Sequence, residues 1–420
     1  MSKKILVWFR NDLRVHDNGV LVEAIAKSDE ILPVYFFDPR YFETTKYQTV
    51  KTGLNRAQFL IDSVLALRQS FQAFGGDLLV VKGKPEELLP GLVSENGITE
   101  VYHHREVASE ETAVSTRVED LLWKLKVNLK HIIGHTLYNK EDLPFPIKDI
   151  PDAFAQFKKK TERDAIVKPC FLTPTQIHFV QQKDWGTLPS LAELIVHEQL
   201  PTQANKVVFK GGEQSALQLL DEFLELSGAA SAQTTKKLDM VSKLSPWLSL
   251  GCLSPREVYW KMKEAEAKFG ARLFCKQVLQ GLLWRDYYRF MLKKYGNTFF
   301  KPAGFNKNAS PKGENPEALQ AWKSAATSQN LVNLHMKELN ETGYINSAAR
   351  ILLATYFVYE LKLNWVLGAA YFEEKLIDYT PASNWGNWAN VAGVGNDEKL
   401  TTSYCFTKQL KFLDPKAVEA

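Results

Sequence analysis

Cysteine is scarce in this chain: Cys170, Cys252, Cys275 and Cys405 are the only four in 420 residues, and they stand far apart. Without paired spacing there is neither a disulfide framework nor a Cys-based zinc site to read, and reduced, buried thiols of an intracellular protein are expected. Long apolar runs are missing too. No segment reaches about 18 consecutive apolar residues, so no membrane-spanning helix is expected. Met1-Ser2-Lys3-Lys4 leads straight into a strand-like run rather than a signal-length apolar core, which points to a cytoplasmic protein. No charge dominates: 52 Lys and Arg face 48 Asp and Glu, a net +4 that neither requires nor forbids a polyanionic partner. Repeats and low-complexity tracts are lacking. What is present is 45% hydrophobic residues beside 24% charged, enough for two or three domains with large cores. Ten tryptophans add large cores or stacking surfaces.

The first 140 residues alternate short apolar runs with helical patterns. Ile5 to Phe9, Ile31 to Phe37, Leu78 to Val81, Val101-Tyr102 and Leu129 to Ile133 read as buried parallel strands. Leu60, Val64, Leu67 and Phe71 mark an amphipathic crossover helix closed by Gly75-Gly76. The fold class is therefore α/β plus all-α: a doubly wound parallel-sheet domain over residues 1–138 and a helical domain over 206–420. Between them a Pro-bearing stretch, 139–205, reads as a connector, and its Lys158-Lys159-Lys160 as a solvated helix face.

Several motifs carry chemistry. Arg10-Asn11-Asp12-Leu13-Arg14 closes the first strand, where polar residues either line a site or satisfy loop backbone; the residues leave both open. Ser242-Lys243-Leu244-Ser245-Pro246-Trp247 puts hydroxyls, backbone N–H groups and a cation in a turn before helices, a plausible pyrophosphate cradle or simply a turn. Leu282-Leu283-Trp284-Arg285-Asp286-Tyr287-Tyr288-Arg289 places Trp284 and Tyr288 on one helix face beside arginines, a pattern of core or of base stacking. Near the end, Leu376-Ile377-Asp378-Tyr379 runs into Ser383-Asn384-Trp385-Gly386-Asn387-Trp388 and Ala392-Gly393-Val394-Gly395. A carboxylate, an amide, indoles and tight glycine turns suit a buried planar redox ring.

Together these strings, with Val7-Trp8-Phe9 before the first, resemble the photolyase/cryptochrome family over essentially the whole chain. Leu137-Tyr138, Asp142-Leu143-Pro144-Phe145, Pro151-Asp152-Ala153-Phe154 and the Ser-Asn-Trp-Gly-Asn-Trp cluster are similar to its DASH-type branch. The resemblance implies FAD, its diphosphate held by Ser242, Lys243, Leu244, Ser245 and Arg285, with Arg350 and Asp378 paired beside the ring and Asn384 facing the nitrogen protonated on reduction. It implies Trp388 then Trp365 as electron carriers and Trp284 as the indole that meets a flipped-out pyrimidine dimer. It further implies blue-light repair of cyclobutane pyrimidine dimers in single-stranded DNA, a folate (methenyltetrahydrofolate) antenna near the α/β domain, and a monomer.

The chain also departs from the family pattern. Gly281 stands where a lesion-binding Glu is expected, Asn333 for an Asp, Lys337 for an Arg, and Ser347-Ala348 for an Asn-Arg pair. Thr380 replaces a second acid, Asn390 an aromatic, no Tyr stands around Gly228 to Gln233, and no third Trp stands near Lys312. If these surround one pocket, lost hydrogen bonds of about 1 to 3 kcal/mol each lower flavin affinity by orders of magnitude. The alternative function is a non-repairing cryptochrome-like photoreceptor or nucleic-acid-binding protein with lost or altered flavin binding.

Overall fold

The computed structural model describes residues 2–196, 208–231, 242–270, 272–306, 313 and 315–414. The predicted apolar runs form β1 (Lys4–Phe9), β2 (Glu30–Phe37), β3 (Leu79–Lys82), β4 (Glu100–His104) and β5 (Asn128–Ile132), all parallel, in the order β3-β2-β1-β4-β5. Helices cover both faces: α1 (Gly19–Lys27), α2 (Leu54–Ala73), α3 (Pro85–Asn96) and α4 (Ser109–Lys124). Because successive strand residues point to opposite faces, Ile5, Val7 and Phe9 join a core with Val64, Leu67 and Phe71 of α2. Leu6 and Trp8 join another with Leu89, Val93, Val118 and Leu122. The order reverses at β1, so a crevice opens at the carboxyl ends of β1 and β4.

The connector is tied down along the sheet. Residues 139–196 contain α5 (Phe154–Asp164) and α6 (Leu191–Leu194). The Ile31 N–H donates to the His178 carbonyl at 2.8 Å and the Val80 N–H to the Trp185 carbonyl at 2.9 Å. On α5, Lys158 pairs with Glu162 at 2.5 Å while Lys159 and Lys160 are exposed, as a solvated face requires. Residues 197–205 of the connector lie outside the described residues.

The second half is helical: α7 (Glu213–Ser231), α8 (Ser245–Ser249), α9 (Pro255–Phe269), α10 (Arg272–Tyr295), α11 (Pro316–Lys323), α12 (Asn330–Thr342), α13 (Ser347–Thr355), α14 (Trp365–Lys375) and α15 (Pro381–Val391), with two short helices after them. Trp322, Met336, Leu352, Phe357, Phe372 and Trp388 form its own core. Of the glycine turns expected across 376–397, the one at Gly386 is instead helical: Gly386 lies inside α15, where a Cβ would fall 2.4 Å from the Tyr288 ring. The turn comes later, at Gly393 with φ 78°.

The Arg10 to Asn18 signature joins the two domains. The Leu13 N–H donates to the Leu250 carbonyl at 3.2 Å, and Arg14 Nη1 to the Gly251 carbonyl at 2.8 Å. The N–H groups of Val15 and His16 donate to the Glu213 carboxylate at 2.8 and 2.9 Å, and Asp17 pairs with Arg256. Only glycine fits at 251: φ is 66°, and a Cβ would lie 2.0 Å from the Asn11 carbonyl oxygen. All four cysteines are free; Cys252 and Cys275 are buried, whereas Cys170 and Cys405 are half-buried, against the expectation for those two. Among the described residues no helix is long and apolar enough to cross a membrane.

Candidate functional site

Asp378, buried just after α14, draws three segments together. Its Oδ2 accepts from Ser245 Oγ at 2.6 Å and from Arg350 Nη2 at 2.7 Å. Arg350 is oriented by a second bond from its Nε to the Ile345 carbonyl at 2.9 Å. Lys243, exposed at φ 53°, forms the left-handed turn that delivers Ser245 to the start of α8, while Ser242 is half-buried and Leu244 buried. Asp378 Oδ1 is buried without a partner. An uncompensated carboxylate oxygen at this depth is costly, so the cluster is built to receive a donor.

Along α15, Asn384 is buried and donates Nδ2 to the Ala369 carbonyl at 3.0 Å. One turn on, Trp388 presses on Gly368, where a Cβ would come within 2.3 Å of its ring. Phe357, Phe372 and Trp322 hold the other sides at ring-centroid distances of 5.6, 5.1 and 6.3 Å. Trp365, at the start of α14, donates Nε1 to the Pro302 carbonyl at 2.9 Å.

Two of the expected site residues point elsewhere. Arg285 does not turn its guanidinium to residues 242–245. It bonds the His135 carbonyl, His135 Nδ1 at 3.1 Å and the Leu248 carbonyl at 2.8 Å, and burial pushes its pKa down to about 10. Trp284 is stacked face to face on Phe154 of the connector, 3.4 Å between centroids and 10° between planes, so the connector already covers one face. Beside it Gly281 is exposed, and a Cβ there would meet nothing within 4 Å.

Several of the departures have partners of their own. Asn333 closes the turn before α12, taking the Thr327 N–H at 2.9 Å and returning Nδ2 to the Thr327 carbonyl at 2.8 Å; Lys337 is exposed. Ser347 begins α13 behind Asn346, which supplies the cap. Thr380 borders a separate cavity at the sheet. Asn390 is fully buried, its Nδ2 donating to the Tyr288 hydroxyl at 2.9 Å. Gln233 and Lys312 lie outside the described residues.

A cavity of about 690 Å³ occupies the crevice at the carboxyl end of the sheet, between the domains, bordered by Arg10, Tyr41, Arg56, Glu106, Glu111, Tyr379 and Trp385. A second, of about 330 Å³, shares Glu106 and Arg289 with it. Neither is bordered by Ser245, Arg350, Asp378 or Asn384. Sequence reasoning missed Glu106, although its position two residues past β4, at the strand-order reversal, was the available signal. Burial pushes the Glu106 carboxyl up, but Arg289 at 3.1 Å and His135 more than offset this and hold it well below the usual range. Burial pushes Glu111 up to about 8 and His135 down to about 3. His104, Glu106 and His135 have ligand atoms within 4.8 Å of one another. Arg285, however, donates to His135 Nδ1, so the neutral ring carries its proton on Nε2, facing Glu106 at 3.5 Å, where a metal would need a lone pair.

Residues 5–176 match the DNA photolyase family, and residues 278–418 match the FAD binding domain of DNA photolyase. The DASH cryptochrome of Gloeobacter violaceus is 39% identical over 99% of this chain and 84% of its own. The chain belongs to the photolyase/cryptochrome family. The DASH cryptochrome of Synechocystis is 37% identical over 98% of this chain and 85% of its own. A Synechocystis cryptochrome crystal structure superposes with a TM-score of 0.91, covering 99% of this chain and 87% of that one. An archaeal photolyase from Sulfolobus tokodaii, whose structure holds two FAD molecules, gives 0.77 at 25% identity, covering 99% of this chain and 88% of that one. As in other photolyase/cryptochrome proteins, a parallel α/β domain precedes a helical FAD-binding domain. The donor set tests whether FAD fits: the partnerless Asp378 Oδ1, the exposed Lys243 and the buried Asn384 amide are groups a polar ring edge and a diphosphate satisfy, and they fit.

Proposed function

We propose that this protein is an FAD-dependent photolyase of the DASH type, which repairs cyclobutane pyrimidine dimers in single-stranded DNA under blue light, as a cytoplasmic monomer. The observation that carries the reading is the Ser245–Asp378–Arg350 cluster with its partnerless buried oxygen. Bound there, reduced FAD supplies the electron that light drives into the dimer and that returns once the ring has split. Asp378 and Arg350 hold the ring's polar edge, while Ser242, Lys243, Leu244 and Ser245 cradle the diphosphate. Arg285 acts as a positioning residue, fixing α8 through the Leu248 carbonyl. With Nδ2 of Asn384 tied to Ala369, its Oδ1 is left to accept a ring N–H. Trp388 and Trp365 deliver electrons to the site, and the half-buried Trp284 meets the extruded base. The 690 Å³ cavity suits a planar antenna, either a folate or a second flavin of the kind that the two FAD molecules of the Sulfolobus tokodaii photolyase suggest.

A second reading, a non-repairing photoreceptor or nucleic-acid-binding protein, is favoured by Phe154 lying on the Trp284 face. One experiment separates them: chromophores released from the purified protein are identified, and a dimer-containing single-stranded oligonucleotide is then illuminated with it. FAD in the extract with dimer loss supports repair. FAD without dimer loss supports the photoreceptor, and protein that neither carries nor takes up FAD overturns both flavin-dependent roles.

A further inference from the structure

The 330 Å³ cavity differs in kind from its larger neighbour. Trp8, Phe36, Tyr41 and Trp385 stand on the wall of the 690 Å³ cavity, whereas among the described residues Phe290 is the one aromatic of the smaller. Charge takes the place of rings. Arg105, Lys140, Arg289 and Lys293 border the smaller cavity against one carboxylate, Glu106. That carboxylate is already committed, accepting from Arg289 Nη2 at 3.1 Å and from Asn11 Nδ2 at 2.9 Å. Lys140 lies 3.3 Å from Glu141, but among the described residues neither Arg105 nor Lys293 has a carboxylate partner. Arg105 turns Nη1 to His131 Nε2 at 2.6 Å, where only a neutral ring can accept. Lys293, on α10, is half-buried, and burial together with Arg105 and Lys140 lowers its pKa. Two kinds of neutral donor complete the wall. Thr136, 5% exposed, borders the cavity, and its buried hydroxyl has no hydrogen-bond partner. Ser109 opens α4 there, and Ala108 before it gives the helix no side-chain cap, so first-turn N–H groups remain to be taken.

We propose that the 330 Å³ cavity binds a phosphate-class oxyanion, held by Arg105 from the α/β domain and Lys293 from the helical domain. The two cations supply charge, and Thr136 with the start of α4 supplies neutral donors, a set that several acceptor oxygens on one small anion satisfy together. The consequence is mechanical. Without an anion Arg105 and Lys293 repel across the domain interface, and an anion between them turns that repulsion into a bridge from α10 to the turn after β4. Its source is either free phosphate or the phosphate group of a ligand reaching over from the 690 Å³ cavity, with which the site shares Glu106 and Arg289. Ser245, Arg350 and Asp378 do not border it, so its occupancy is independent of flavin.

The test is equilibrium dialysis of the full chain with radiolabelled inorganic phosphate, at an ionic strength held constant with chloride, beside urea unfolding in the same buffers. Wild type should take up a single phosphate saturably, and phosphate should raise its urea midpoint above that in chloride. Lys293→Met and Arg105→Gln should each weaken uptake roughly 10-fold or more, as the loss of a charge-assisted bond requires. Thr136→Val should weaken it about threefold, as the loss of a neutral one requires. Lys293→Met also removes a repelled charge, so its midpoint in chloride should equal or exceed that of wild type, which separates lost binding from failure to fold. Saturable uptake by the protein as purified supports the site with free phosphate as its source. Uptake that appears only after exhaustive dialysis, with phosphorus in the dialysate, supports it with a phosphate-bearing ligand as the source. Uptake absent from both preparations, or equal in wild type and all three variants, overturns the site. A midpoint rise with phosphate as large in Lys293→Met as in wild type overturns it too, because that is the general action of a salt excluded from the protein surface.

Discussion

At the scale of single residues, the Asp378 carboxylate accepts from both the Ser245 hydroxyl and the Arg350 guanidinium. Asp378→Asn keeps the volume but removes the charge. A hydrogen bond to a charged partner is worth about 1.5 to 3 kcal/mol, so FAD affinity should fall roughly 10- to 150-fold, measurable by titrating the flavin-free protein. Unchanged affinity would move the flavin away from this carboxylate. Gly281 makes the opposite kind of prediction. Nothing lies within 4 Å of a Cβ there, and α10 is exposed at that point, so Gly281→Glu should fold and gain one hydrogen bond to a lesion. Binding of a dimer-containing oligonucleotide should tighten by roughly 5- to 10-fold, for about 1 kcal/mol. Equal binding by both proteins would separate this helix turn from the lesion.

At the scale of elements, glycines work by contact more than by turning. Gly368 lets Trp388 lie directly on α14, and Gly368→Ala would push a methyl into the indole. Overpacking of a filled core costs about 1 to 3 kcal/mol. The variant should lower the urea midpoint and shift the Trp388 fluorescence, and a midpoint equal to wild type would show that α14 and α15 slide freely. Periodicity revealed α2 and the five strands, since each apolar residue faces one of two cores. It did not single out α15, whose Gly386 and polar Asn387 look like a loop until Tyr288 of α10 is seen packed against the glycine. Nor did it foresee the stack of Phe154 on Trp284, because a connector residue and a helix residue 130 positions apart meet only through tertiary packing. Asn333, at a position expected to face the pocket, serves a local turn, which residue identity alone does not distinguish from a ligand contact.

At the scale of the whole molecule, the interface between the domains concentrates buried ionisable groups, so stability must depend on pH. Burial pushes Asp12, Asp286 and Glu111 up to about 6, 7 and 8. A carboxyl raised on folding holds its proton longer in the native state; the stability it contributes is present in acid and is lost as pH rises through the folded value. Burial pushes His103 and His135 down to about 3, and His104 down too, so the unfolded chain binds more protons and stability rises with pH up to the ordinary histidine value of about 6.5. The two sets oppose each other between about pH 4 and 6.5. Above that the histidines are neutral in both states, and the raised carboxyls, Asp286 and Glu111 among them, set the slope. Stability should therefore fall between about pH 6.5 and 8 by an amount on the order of 2 kcal/mol, mostly through Glu111. Urea midpoints across pH 6 to 9 measure it. Glu111→Gln, in the wall of the 690 Å³ cavity, should flatten that decline and steepen the rise between about pH 4 and 6.5, where Glu111 no longer opposes the histidines. A wild-type midpoint that climbs through this window, or an equal decline in Glu111→Gln, would place the proton uptake elsewhere than at the domain interface.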